Sequence, residues 1–391
     1  MRRASAATTA MSVPVAGEFA ALDGHVWLNC AHQGPLPASA RAAAAEAAAW
    51  KAMPWELTSE RFAGVPLRLK RALGRLIGVP ADEVILANSA SYGLHLIANG
   101  FPFAAGDEVL TMRGDFPSDI LPWLRLERSG VVVRQLQPRG RVLQPDEIAA
   151  AIGPRTRLLC LTWVHSLSGW TIDLYAIGQL CRDRGVTFVV NASQALGARP
   201  LDATAAPIDA LVSVGWKWLL GPYATGFCWL HPALRRRLTC LQSYWLSVLS
   251  AADLGREHFD LSIPEDAAAS RWDVFATANF LAFHPLAAAV ELVLEQGVEA
   301  IAAHDDALVQ RLTNGLDRRC FRLTSPDSGP ARSTLVFIEP SERGRAEAMQ
   351  QALAASKIHV AHRAGALRFA PHLCNTGDDI DRALTALHAL A

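Results

Sequence analysis

The chain has 391 residues, 37 of them basic and 37 acidic, so its formal net charge is zero. That length allows two or three lobes around a large core, and the balanced charge leaves no electrostatic footprint for nucleic acid or a membrane surface. No apolar run reaches the roughly 20 residues a membrane-spanning helix needs. Seven cysteines without CxxC spacing fit neither a zinc site nor a small disulfide framework, which points to a reducing cytoplasm.

Residues 1–17 are small, polar and low in complexity. No apolar segment follows Arg2-Arg3, so a disordered extension is expected rather than a signal peptide. Ala-rich residues 37–51 predict a helix. Residues 67–77 predict another, which Gly78-Val79-Pro80 ends. Short apolar runs then alternate with helical patterns. Strands are expected at 84–86, 108–112, 131–136, 158–163, 187–190, 210–214 and 227–230. Helices are expected at 92–99, 119–129, 145–152 and 174–184. Unbroken apolar strands alternating with helices imply an α/β fold with a mostly parallel, seven-stranded sheet covered on both faces. After about residue 275 the pattern changes to helices at 282–296 and 298–318. A small α+β region follows, with elements at 333–338, 346–356, 367–369 and 378–390. The expected organisation is an N-terminal segment (18–60) packed near the small domain, a large domain (61–275) and a small C-terminal domain (276–391).

Five segments carry residues suited to chemistry. Lys217 lies between Trp216 and Trp218, just before the turn Gly221-Pro222. Desolvation there would lower its pKa and leave a free amine able to attack a carbonyl. Alternatively its stem lies on the rings and its head reaches water. Ala90 and Ser91 sit between a strand and a helix, where N–H groups form an anion site or a plain N-cap. Phe116 follows a strand at the sheet's C-terminal end, where it would stack on a planar ring or fill a turn. Asn191 and Gln194 end an apolar strand and need polar partners, from a ligand or a loop. Arg368, flanked by apolar residues, would clamp a carboxylate or form a structural ion pair.

In order, these segments resemble the class V aminotransferase family of fold-type I pyridoxal phosphate enzymes. The family includes cysteine desulfurases, kynureninases and proteins like selenocysteine lyase and isopenicillin N epimerase. Trp27–Pro37 resembles the opening "LNxAxxGPLP", Phe101–Val109 "GL..GDEVL", Trp216–Phe227 "xKWLLGPxGxGF" and Arg368–Thr376 "RxSPHxYNT". The resemblance implies a role for each matching residue. Lys217 would hold pyridoxal 5'-phosphate as an imine. Ala90 and Ser91 would form the phosphate loop, and Phe116 would stack on the ring. Gln194 would lie near the pyridine hydroxyl. Thr277 would reach the phosphate of the neighbouring subunit in a homodimer with shared active sites. Arg368 would bind the substrate carboxylate, and His32 would line the substrate pocket.

Three departures from the family stand out. Asn191 occupies the position of the acid that keeps the ring nitrogen protonated, and a neutral amide supplies no charge. Val214 and Trp216 replace phosphate-binding side chains, leaving Ser193 or Ser213 to compensate. Phe116 stands where a histidine is common, no cysteine lies in 362–366, and Cys374 replaces the usual tyrosine. A sulfur-mobilising desulfurase is therefore disfavoured. The expected function is a pyridoxal phosphate enzyme acting on an amino acid or related amine, as an aminotransferase, lyase or epimerase. The alternative is a non-catalytic or regulatory descendant with weakened cofactor binding.

Overall fold

The computed structural model describes residues 15–263 and 268–391. Residues 1–14 of the expected extension lie outside the described residues. Its last residues already belong to a helical turn, α1 (Val15–Glu18), whose Val15 is buried.

Thirteen strands are described: β1 (Val26–Trp27), β2 (Val84–Ala87), β3 (Glu108–Met112), β4 (Val132–Leu136), β5 (Thr156–Thr162), β6 (Thr187–Asn191), β7 (Ala210–Val214), β8 (Gly226–Leu230), β9 (Phe321–Leu323), β10 (Val336–Pro340), β11 (Ile358–His359), β12 (Ala361–Arg363) and β13 (Ala366–Phe369). Seven form the large sheet in the order β2-β8-β7-β6-β5-β3-β4. Only β8 runs antiparallel to its neighbours. The mostly parallel, seven-stranded α/β sheet is therefore as expected.

The helices after α1 are α2 (Ala38–Ala52), α3 (Ser59–Ile77), α4 (Ala90–Gly100), α5 (Leu121–Leu124), α6 (Pro145–Ala151), α7 (Leu174–Asp183), α8 (Pro232–Arg235), α9 (Phe280–Gln296), α10 (Val298–Gly315), α11 (Ala346–Ala355) and α12 (Gly377–Ala389). The period-2 alternation of the strands divides the core in two. Leu86, Leu110, Leu161, Val190, Leu211 and Phe227 face one layer with α3, α7 and α9. Ile85, Val109, Cys160, Val189, Val212 and Cys228 face the other with α4 and Trp123. Both faces are covered, which explains why these strands read as continuous apolar runs.

A second sheet, β12-β13-β10-β9, packs with α10, α11 and α12 around Val336, Leu367, Ile380 and Leu387. The N-terminal strand β1 pairs in parallel with β11, through Val26↔Ile358 and Trp27↔His359.

One expected helix is shorter in the structure. Residues 119–129 form only the single turn α5, flanked by 3-10 turns at Pro117–Asp119 and Arg125–Ser129. Past Leu124 the backbone tightens to i→i+3 turns and ends at Gly130, whose φ of 82° is left-handed. Asp119 is left in a fixed turn at the edge of the cavity described below.

Phe188, fully buried in β6, contacts the α7 and α9 side of the core. Phe188→Ala is expected to lower unfolding free energy by about 3–5 kcal/mol in urea melts at unchanged m-value.

Candidate active site

The C-terminal ends of the parallel strands open onto a cavity of about 300 Å³. This is where open α/β sheets bind ligands. His32, Ala90, Ser91, Phe116, Asn191, Ser193, Gln194, Trp216, Lys217 and Arg368 all line it. Of the residues singled out from the sequence, Thr277, Ser213 and Cys374 are not in the wall of this chain's cavity.

Lys217 follows β7 in a closed turn. Gly221 N donates to the Gly215 carbonyl and Leu220 N to the Lys217 carbonyl. Leu220 holds a left-handed φ of 57° to make that turn. The amine lies 5.7 Å from the centroid of the Phe116 ring and has no hydrogen-bond or ion-pair partner among the described residues. Burial and the nearby Arg368 cation lower its pKa from 10.5 to about 8, against the opposing pull of Asp119. The tryptophans do not carry the stem to water. Trp218 is buried, and Trp216 packs 4.8 Å from Tyr223 in the cavity wall.

The anion end is the first turn of α4. Ser89 caps it by accepting from Tyr92 N at 3.3 Å. The N–H groups of Ala90 and Ser91 have no partner within the helix. Gly226 permits the close fit, since a Cβ there would lie 3.1 Å from the Ser89 backbone. Ser193 Oγ is buried without a partner, whereas Ser213 donates its hydroxyl to the Val214 carbonyl. Of the two serines, Ser193 is the one in the cavity wall.

Gln194 is held at both ends. Its Nε2 donates to the Ala31 carbonyl at 3.0 Å, and its Oε1 accepts from Trp218 Nε1 at 3.1 Å. Arg368 is 4% exposed. It donates from its two Nη atoms to the Ser166 carbonyl and to Asn29 Oδ1, each at 3.3 Å, while Nε is buried without a partner. No acidic side chain pairs with it among the described residues, so the structural ion-pair reading fails. Burial, with the neighbouring cation of Arg363, lowers its pKa to about 10. His32 is likewise lowered, by burial and then by Arg363, Arg368 and Lys217.

Several residues of the site escaped sequence reasoning. Asp115 accepts from Phe116 N and Thr162 N, bracing the Phe116 turn against the end of β5. Asp119 is fully buried behind Asn191. Arg363 and Tyr223 stand in the wall. His372 is fully buried between Asp305 and the Trp218 carbonyl, at 2.9 and 3.0 Å. Two acids four positions apart around Pro117, in a segment of apolar residues, carried the one available signal, because such groups need partners. Cys374 lies outside the cavity wall, 3.8 Å from Cys30.

Fold, buried amine and anion cradle together define a fold-type I pyridoxal phosphate architecture. The aminotransferase class-V family profile matches residues 67–373, and the chain belongs to that family. Over 378 residues it is 27% identical to isopenicillin N epimerase of Streptomyces clavuligerus, covering 93% of this chain and 94% of that one. A probable cysteine desulfurase of Methanothermobacter thermautotrophicus is 28% identical over 60% of the chain, and the chain spans 57% of that relative's length. Among solved structures, the cystine C–S lyase C-DES in complex with cysteine persulfide matches with a TM-score of 0.84 at 21% identity, over 94% of this chain and 98% of that one. A C-DES mutant with glycine linked to its cofactor matches at 0.85 and 20% identity, over 96% and 99%.

The residues present fit pyridoxal phosphate. The donor-rich α4 turn, the unpartnered Ser193 hydroxyl, the Phe116 face and the unpaired Lys217 amine match a phosphate, a flat ring and an aldehyde. A Lys217 pKa near 8 has a direct consequence. The rate of visible-band formation on adding pyridoxal phosphate should rise with pH and reach half its maximum near 8, because only the neutral amine attacks. A midpoint near 10.5 would show an ordinary solvated lysine.

Proposed function

We propose that this protein is a pyridoxal phosphate-dependent enzyme acting on an amino acid or related amine by proton transfer at the α-carbon. The observation that carries this reading is an unpaired, desolvated amine, Lys217, in one cavity with an unpaired buried guanidinium, Arg368. The cofactor, when bound, supplies an electron sink for charge developing at the α-carbon. Lys217 would hold its aldehyde carbon, and its amine when free would serve as the base for the α-proton. The α4 turn and Ser193 would hold the phosphate, Phe116 would cover one ring face, and Gln194 would lie near the ring hydroxyl. Arg368 keeps one N–H pair free for a substrate carboxylate, and Ser166 and Asn29 fix its plane. His32 completes the substrate side.

Transamination, elimination and epimerisation share these parts. No cysteine lines the cavity among the described residues, which speaks against sulfur transfer onto the chain itself. The near full-length similarity to an epimerase supports chemistry confined to proton movement.

We also propose an isologous homodimer in the cytoplasm. Exposed Leu241, Trp245, Leu254, Leu261 and Phe275 lie in the segment leading up to Thr277, which would then reach the partner's site. Light scattering should give about twice the 42.1 kDa chain mass. A monomer would leave Thr277 without a role.

Purified protein with pyridoxal phosphate should show a visible band that Lys217→Ala abolishes. A colourless wild type would select the non-catalytic alternative. A substrate panel followed for ketone, racemised and eliminated products then assigns the reaction. Arg368→Ala should raise KM for a carboxylate-bearing substrate by about 10- to 100-fold, with a smaller effect on amines lacking the carboxylate.

A further inference from the structure

Asn191 ends β6 in the cavity wall, and its side chain has only one workable orientation. Its Oδ1 accepts from Ser193 N at 3.0 Å, and its Nδ2 donates to both oxygens of Asp119 at 2.9 and 3.1 Å. Turned over, the amide would set N–H against N–H and oxygen against a carboxylate. Asp119 is fully buried, and among the described residues Asn191 is its one side-chain hydrogen-bond partner. The groups that face it are the Asp115 carboxyl, the Lys217 amine and the Cys160 thiol. A carboxyl buried beside a second acid is expensive unless a cation answers it. Among the described residues the cation that acts on it is Lys217.

We propose that Asp119 and Asn191 act together as the acidic partner of the cofactor's ring nitrogen: Asn191 makes the contact through Oδ1, and Asp119 supplies the negative charge through the Asn191 amide. This rests on the reading of the cavity as a pyridoxal phosphate site. Oδ1 has a second lone pair beyond the one used by Ser193 N, so it can accept from a protonated ring. The amide polarised by Asp119 is a stronger acceptor than a solvated one, because hydrogen bonds in series reinforce each other in a low-dielectric site. Burial and the Asp115 charge raise the Asp119 pKa well above the usual carboxyl value, so Asp119 carries its negative charge only with a cation in front of the pair. The sequence departure at 191 is thus answered one layer behind. Asp119 is a positioning and charge-supplying residue that acts through Asn191.

The test uses the full chain loaded with pyridoxal phosphate labelled with nitrogen-15 in the ring, and reads the ring-nitrogen chemical shift rather than turnover. The wild type should give the protonated-ring shift. Asp119→Asn should keep the visible band but move the nitrogen to its unprotonated shift. The exchange variant Asp119→Asn/Asn191→Asp should return it to the protonated shift. Asn191→Leu, which removes the bridge and keeps the acid, should also lose protonation and serves if Asp119→Asn does not fold. A ring still protonated in Asp119→Asn or Asn191→Leu would overturn the proposal. So would an unprotonated ring in the wild type or the exchange variant. A wild type that forms no visible band would instead refute the cofactor reading itself.

Discussion

The site depends on the approach of the opening loop, residues 29–34, to the lysine turn. Gly34 N donates to the Trp216 carbonyl, and a Cβ on Gly34 would fall 2.1 Å from the Lys217 carbonyl oxygen. Only glycine allows that contact. The same loop reaches the other side of the cavity. Asn29 Oδ1 holds Arg368, Cys30 N donates to the Ala370 carbonyl, and the Ala31 carbonyl fixes Gln194. One short segment therefore ties the amine, the guanidinium and the ring-side amide into a single arrangement. Beneath it, His372 and Asp305 hold the Trp218 carbonyl, and Gly197 packs against that same carbonyl.

Charge is layered around the cavity. The wall carries Lys217, Arg363 and Arg368, and no acidic side chain among the described residues. Such a wall suits a ligand bearing a phosphate and a carboxylate. The acids stand one layer back, with Asp115 bracing the Phe116 turn and Asp119 behind Asn191. Burial raises the pKa of both. Cations face the ligand directly, while negative charge is delivered through backbone and amide groups.

Much of this was legible in the chain because local rules and global fold agree. The seven expected runs became seven strands; in six of them burial on both faces removes any need for alternation, while the edge strand β4 stays half-exposed and carries Arg134 and Gln135. Lys217, Phe116, Asn191 and Gln194 could be found because strand ends in α/β sheets point at the ligand. Choosing between a stacked, free or paired side chain required tertiary contacts. Nothing local says that Arg368 has no acidic partner, that Ser193 rather than Ser213 keeps its hydroxyl free, or that Asp119 lies behind Asn191. The Asp119–Asn191 pairing joins residues 72 positions apart, and Asn29–Arg368 joins residues 339 apart. The helix expected at 119–129 is broken locally, where the backbone tightens to 3-10 turns on either side of α5 and ends at Gly130.

The central claim is that the Lys217 amine is the point of attachment for an aldehyde in this cavity. Borohydride reduction of the protein loaded with pyridoxal phosphate, followed by peptide mass mapping, tests it most directly. The account predicts a single phosphopyridoxyl addition on Lys217. Modification confined to other lysines, with Lys217 recovered unmodified, would contradict it.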